Sequence, residues 1–198
     1  MRCLAGGRGW LGIRRSGDNG NIYGAIMQFH RWLAASSAAL ILAVTAATSQ
    51  PAQAREIVGF SGHYSAGTIV VRTGERTLYY VLGNGKAVRY PVGVGRAGKQ
   101  WTGTSMIDGK HLRPAWSPPA EVKRDNPRLP NMIPGGTGRN PMGAAALTLS
   151  GGQYAIHGTN NPDSIGGFVS YGCIRMYNAD VLDLYNRVGF GTTVVVTR

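Results

Sequence analysis

The chain has few cysteines and few acids: 2 Cys and 9 Asp+Glu in 198 residues. Two cysteines exclude a disulfide-stapled scaffold and a zinc site of the CxxC…CxxC kind. Charged residues make up only 15% of the chain and hydrophobic ones 43%, which excludes a solvating disordered polymer and a coiled coil. No internal repeat or heptad pattern is present. What the chain does have is base, with 21 Lys+Arg and a formal net charge of +12, so an anionic partner is expected. Nucleic acid, anionic lipid and an acidic wall polymer are the classes that charge admits. Lys123-Arg124 is the only adjacent basic pair after residue 54, and no nucleic-acid-binding motif accompanies it, so nucleic acid is not expected as a partner. The Gly135–Arg139 stretch (GGTGR) lacks the Lys-Ser/Thr and the helix that a phosphate-binding P-loop needs.

Residues 33–49 form an uncharged apolar run, preceded by His30-Arg31 and followed by Pro51-Ala52-Gln53-Ala54. A basic start, an apolar middle and a small-x-small end describe a secretory signal peptide, with cleavage expected after Ala54. The aliphatic stretch Ala38–Ala47 is short and Ala-rich for a spanning helix, which takes about 20 apolar residues, so no stable membrane span is expected after cleavage. Met27 begins a tidier signal than Met1 does. The expected organisation is therefore a leader over 1–54, a Gly-containing linker over 55–67 and one catalytic-sized domain over 68–198. Without the leader, 16 basic residues face 8 acidic ones, and Cys173 is the single cysteine.

Runs rich in β-branched and aromatic residues, Thr68–Thr73, Thr77–Leu82 and Ala87–Val92, are split by turn residues and predict a three-strand meander. Trp101–Ile107 reads as a weaker strand, and Ala145–Leu149, Gln153–His157 and Thr192–Thr197 as further ones. Residues 108–143 carry many Pro and Gly and predict a long loop excursion of the kind that often serves a site. Trp116 within it is placed either as a wall of a cleft or in the core. Val181, Leu184, Tyr185 and Val188 recur at helical spacing behind Asn178, a good N-cap residue, and predict one clear helix near the C-terminus. The fold class expected is mainly β, a closed or sandwich-like mixed sheet with that helix and the loop excursion over the site.

A predicted strand delivers His157 to its end, and sixteen residues later Cys173 follows Gly172. A free thiol is mostly protonated at neutral pH and needs a base or a positive neighbour to act as a nucleophile. A histidine in reach provides the base and can return the proton to a leaving amine. Spacing alone leaves Cys173 as either buried filler or nucleophile. Arg175 is suited to a substrate carboxylate or to a structural pair with Asp180 or Asp183. Tyr171 either lines the site or packs.

The surrounding residues are more specific. Ile156-His157-Gly158-Thr159, then Ser170-Tyr171-Gly172-Cys173-Ile174-Arg175-Met176, Asn178 and Asp180, together with Trp116-Ser117-Pro118-Pro119, Asn140-Pro141-Met142-Gly143 and Gly191-Thr192-Thr193-Val194, resemble the L,D-transpeptidase (YkuD-type) catalytic domains over about 66–198. One departure is Tyr171, where many family members have His. The resemblance implies that Cys173 attacks the carbonyl of the third residue of a peptidoglycan stem tetrapeptide, releasing D-Ala and forming a thioester that an amine resolves. His157 is then the proton carrier, the Gly158 carbonyl orients it, backbone amides of Gly172 and Cys173 form the oxyanion site, and Arg175 and Tyr171 face substrate. It implies no metal and no cofactor, peptidoglycan stem peptides as partners with a protein amine as a further acceptor, acylation by carbapenems, and a place in the periplasm or cell wall. An L,D-carboxypeptidase, in which water resolves the same thioester, and a non-catalytic wall-binding module are the alternatives.

Overall fold

The computed structural model describes residues 55–151 and 154–198. The expected leader over 1–54 lies outside the described residues. Among the described residues there are eleven strands and two α-helices, with one 3-10 turn at Pro162–Ser164: β1 (Glu56–Gly59), β2 (Ile69–Arg72), β3 (Thr77–Gly83), β4 (Lys86–Pro91), β5 (Val94–Gly95), β6 (Gly103–Leu112), α1 (Ala120–Asp125), β7 (Ala145–Leu149), β8 (Ala155–His157), β9 (Phe168–Ser170), β10 (Ile174–Arg175), α2 (Asn178–Arg187) and β11 (Thr193–Thr197).

The predicted meander is β2–β3–β4, antiparallel throughout. Its second turn is set by Asn84 and Gly85, both at positive φ (51° and 67°), the conformation that a tight two-residue hairpin requires. The sheet runs β1-β4-β3-β2-β11-β6-β7-β8-β10, with β11 parallel to β2 and β10 parallel to β8, and β5-β9 pair separately. β6 is the corner. Its first residues pair with β11, its last with β7, and a bulge between Ile107 and Gly109 redirects the strand between the two partners. The other end of the sheet nearly closes: Gly93, just past β4, exchanges two backbone hydrogen bonds (2.9 and 2.8 Å) with Arg175 of β10. A mixed, almost closed β sheet is what the apolar runs and turn residues called for.

Inward side chains of β2, β4, β7, β8, β10 and β11 meet Val181 and Leu184 of α2 in one core, with Tyr90, Leu147, Ile156 and Ile174 fully enclosed. A smaller cluster of Phe60, Val70, Val81 and Ala87 covers the opposite face of the meander. That second layer explains why Ile69, Val70 and Val71 are all buried in β2, where alternation would expose every other residue.

Several elements differ from expectation, and the short strands β5, β9 and β10 form where none is expected. The 55–67 segment, read as a linker, contributes β1, which pairs along β4; Ile57 is 66% exposed, so burial gives this strand no signature in the sequence. β6 runs to Leu112, five residues into the expected loop, and leaves Trp101 outside it. The excursion carries α1, which buries no side chain and so has no apolar period to read. Finally, α2 begins with Tyr177 as its N-cap; Asn178 is the first helical residue and its amide is engaged elsewhere.

Candidate active site

β8 and β10 lie side by side in parallel register, Ile174 opposite Ile156 and Arg175 opposite His157. Side chains alternate across a sheet. Ile156 and Ile174 therefore enter the core, while His157, Arg175 and, one step back, Cys173 share the other face. The turn that brings Cys173 here needs Gly172, whose φ is +122° and whose Cα rests against the Tyr154 ring, leaving no room for a Cβ.

His157 is buried (4% exposed), and its Nδ1 is 2.6 Å from the Gly158 carbonyl oxygen. A carbonyl only accepts, so Nδ1 carries the hydrogen and Nε2 is left with its lone pair. Burial draws the imidazole down to about 4, and the Arg175 charge acts in the same direction, against the carbonyls of Gly158 and Pro141. Burial pushes the Cys173 thiol up, opposed by the Ala155 N–H and the Arg175 charge. The two groups thus rest as neutral imidazole and neutral thiol at neutral pH. Both residues lie near Arg175, whose charge acts on each of them.

Arg175 is half-buried, and its Nε is enclosed with no hydrogen-bond partner among the described residues. The structural pairing left open for it does not form. Asp180 faces Arg55 at 3.8 Å, and Asp183 receives Arg187 at 2.7 Å and the Tyr90 hydroxyl at 2.5 Å.

Two expected contributors are differently employed. The Gly172 N–H, expected at the oxyanion, donates to Ser170 Oγ at 3.1 Å. Tyr171 is braced rather than free: its hydroxyl donates to Asp125 of α1 at 2.6 Å, and the Arg96 guanidinium lies 4.0 Å over its ring while also holding Asp125 at 2.9 Å. A second ion pair, Lys99–Glu121, fastens the same helix. Trp116 exchanges two backbone bonds with Ile133 and so closes the base of the inner excursion.

Sequence reasoning missed three supports of this site. Asn140 is buried and donates to the carbonyls of Pro114, Ile133 and Pro134 while accepting from Met142 N–H, a knot that sets the Pro141 carbonyl beside the imidazole. Asn178 binds Ala144 and Thr159, on either side of the His157 strand end. Trp101 reaches the Gly172 carbonyl across 71 residues of chain. A buried-knot role leaves little mark in local sequence, although an Asn beside Pro-Met-Gly is a turn signal.

Among the described residues no group of three His, Cys, Asp or Glu is placed to hold a metal ion, and no helix is long and apolar enough to cross a membrane.

The chain is 38% identical over 135 residues to the probable L,D-transpeptidase YbiS of Escherichia coli K12, covering 64% of this chain and 43% of that protein. It is 41% identical over 131 residues to the putative L,D-transpeptidase YkuD of Bacillus subtilis, covering 66% of this chain and 65% of that protein. The chain thus spans under half the length of the E. coli relative. An L,D-transpeptidase structure from Mycobacterium smegmatis shares the fold, with a TM-score of 0.52 at 18% identity over 66% of this chain and 58% of that one. The profile of the YkuD L,D-transpeptidase catalytic domain matches residues 66–196, about two-thirds of the sequence, and the chain belongs to that family.

Proposed function

We propose that this protein is an exported, cysteine-dependent L,D-transpeptidase that acts on peptidoglycan stem peptides in the periplasm or cell wall. The observation that carries this reading is the parallel β8–β10 pair, which puts Cys173 on one face with a histidine whose Nδ1 is held by the Gly158 carbonyl at 2.6 Å. The basic surplus after the expected cleavage suits an anionic wall polymer.

The resting protonation states set the order of events. With neutral imidazole beside neutral thiol, His157 Nε2 takes the thiol proton as sulfur attacks. The C–S bond forms to the carbonyl carbon of the third stem residue, and the carbonyl π pair moves to oxygen. Collapse of that oxyanion breaks the C–N bond, and the departing D-Ala amine takes the proton from His157. An acceptor amine then attacks the thioester, passes its proton to His157 and releases Cys173 as a thiol once the proton returns to sulfur. Arg175, half-buried and without an acid of its own, is available to a stem carboxylate near the reacting bond.

Mass spectrometry of the purified domain with a purified tetrapeptide stem, with and without an acceptor stem, tests this. Cross-linked dimer with loss of D-Ala is the expected product. Tripeptide in place of dimer reassigns the protein as an L,D-carboxypeptidase, and unchanged stem reassigns it as a wall-binding module.

A further inference from the structure

Trp101 lies between β5 and β6, stacked on Tyr154 with ring centroids 5.0 Å apart and planes 5° from parallel. Its indole Nε1–H donates to the Gly172 carbonyl at 2.9 Å. That carbonyl belongs to the same peptide unit as the Cys173 N–H. In a planar trans peptide the C=O and N–H point in opposite directions, so fixing the carbonyl on Trp101 fixes the N–H on the side away from it. Ser170 restrains the same turn: its Oγ donates to the Cys173 carbonyl at 2.6 Å and accepts from Gly172 N–H. Of the two amides expected at the oxyanion, one is thereby used up. The Cys173 N–H finds no acceptor among the described residues.

We propose that Trp101 is a positioning residue for acyl transfer: its indole N–H locks the Gly172–Cys173 peptide so that the Cys173 N–H meets the oxyanion formed when Cys173 sulfur adds to a carbonyl. The inference rests on the thioester chemistry proposed above. During addition the C–S bond forms, the carbonyl π electrons pass to oxygen, and that oxygen accepts from Cys173 N–H; on collapse the π bond returns and the scissile C–N bond breaks. A backbone donor that is already aimed pays no reorganisation cost at that moment. The Tyr154 ring, filling the space where a Gly172 side chain would lie, holds the indole in plane from the other side.

The test separates acylation from plain thiol reactivity. Carbapenem acylation of Cys173 builds an oxyanion; alkylation by iodoacetamide displaces iodide at a saturated carbon and builds none. Trp101→Phe keeps a ring on Tyr154 and removes the donor. Acylation followed by intact mass is expected to slow about tenfold or more, a part of the roughly 10²–10³ that an oxyanion donor is worth, while alkylation stays within about twofold of wild type by the same principle. Replacement of Trp101 by benzothienylalanine, with sulfur in place of the indole N–H, preserves the stacked shape and is expected to show the same split should the Phe variant fold poorly. Equal acylation by wild type and both variants overturns the inference. So does a parallel loss of acylation and alkylation, which would make Trp101 a packing residue only. A wild-type protein that is alkylated but never acylated at Cys173 overturns the thioester reading itself and the inference with it.

Discussion

The hydroxyl of Tyr171 donates to the carboxylate of Asp125 at 2.6 Å, tying the residue two places before the cysteine to the short helix α1 on the excursion. α1 buries no side chain, and this contact, the Arg96–Asp125 pair and the Lys99–Glu121 pair fasten it to Tyr171 and to the Arg96–Lys99 segment. The phenol of Tyr171 is long enough to reach the Asp125 carboxylate.

Asp125→Asn is expected to loosen α1 without unfolding the sheet. Hydrogen exchange should accelerate over Ala120–Asp125 and remain unchanged in β2, β3 and β11. The Tyr171 hydroxyl first, and Arg96 second, hold the Asp125 carboxyl below its usual range. A depressed carboxylate value means that the tie is complete above the ordinary aspartate range and is lost as pH falls through the lower folded value. Carbon-detected titration of Asp125 should place its midpoint below that of an exposed aspartate. An unshifted midpoint, or equal exchange in the variant, would show that other contacts hold the helix.

Much of the fold is legible because it is local. The β-branched runs and Asn84-Gly85 mark the meander, and the i, i+3, i+4, i+7 spacing marks α2, where Val181 and Leu184 are buried, Tyr185 packs against the core and Val188 is buried at the C-cap. His157 and Cys173 are legible as a strand end and a glycine turn. What the sequence hides is long-range: the Gly93–Arg175 closure, the Trp101–Gly172 bond and the Tyr171–Asp125 bond each join residues 46 or more apart. The resting protonation is hidden as well, since it follows from burial, which local pattern does not report. Helix α1 is invisible for the opposite reason: it has no buried face to produce a period.

Burial of His157 has a measurable cost in acid. Its folded value of about 4 lies below the ordinary 6.5, so between those values the unfolded chain binds a proton that the folded chain does not. Stability attributable to this group is therefore full above pH about 6.5 and declines as pH falls toward 4, by about 3 kcal/mol in all. His157→Gln removes that titration. Urea unfolding of wild type and variant at pH 7 and pH 4 should give a stability difference that shifts by about that amount in favour of the variant at the lower pH. Parallel pH profiles would mean that the imidazole is not held neutral. In the wild type, the thiol of Cys173 should alkylate slowly at pH 5–6 and faster toward alkaline pH, because burial raises it and no imidazolium partner stands beside it.

Asn178 distinguishes a clamp from a helix cap. Its Oδ1 accepts from Ala144 N–H at 3.0 Å and Thr159 N–H at 3.1 Å, and its Nδ2 donates to the Thr159 carbonyl at 3.0 Å. The amide fits a notch floored by Gly143 and Gly158, where a Cβ on either glycine would strike Oδ1. It therefore ties Thr159, the residue after Gly158, to Ala144 at the start of β7, and the Gly158 carbonyl between them holds His157 Nδ1. Asn178→Ala strands two N–H groups and a carbonyl in a partly buried setting, a loss of about 2–3 kcal/mol at about 1 per bond. Asn178→Asp keeps the two acceptances but sets a carboxylate oxygen against the Thr159 carbonyl, so it should recover only part of that loss. Exchange protection reports where the damage falls. For a clamp it disappears at Ala144 and Thr159 while the first turn of α2 stays protected, and the alkaline rise of Cys173 alkylation changes as His157 loses its fixed carbonyl. For an N-cap, the role its position in the sequence advertised, protection would vanish at residues 180–182 and persist at Ala144 and Thr159; that pattern would remove Asn178 from the histidine's support.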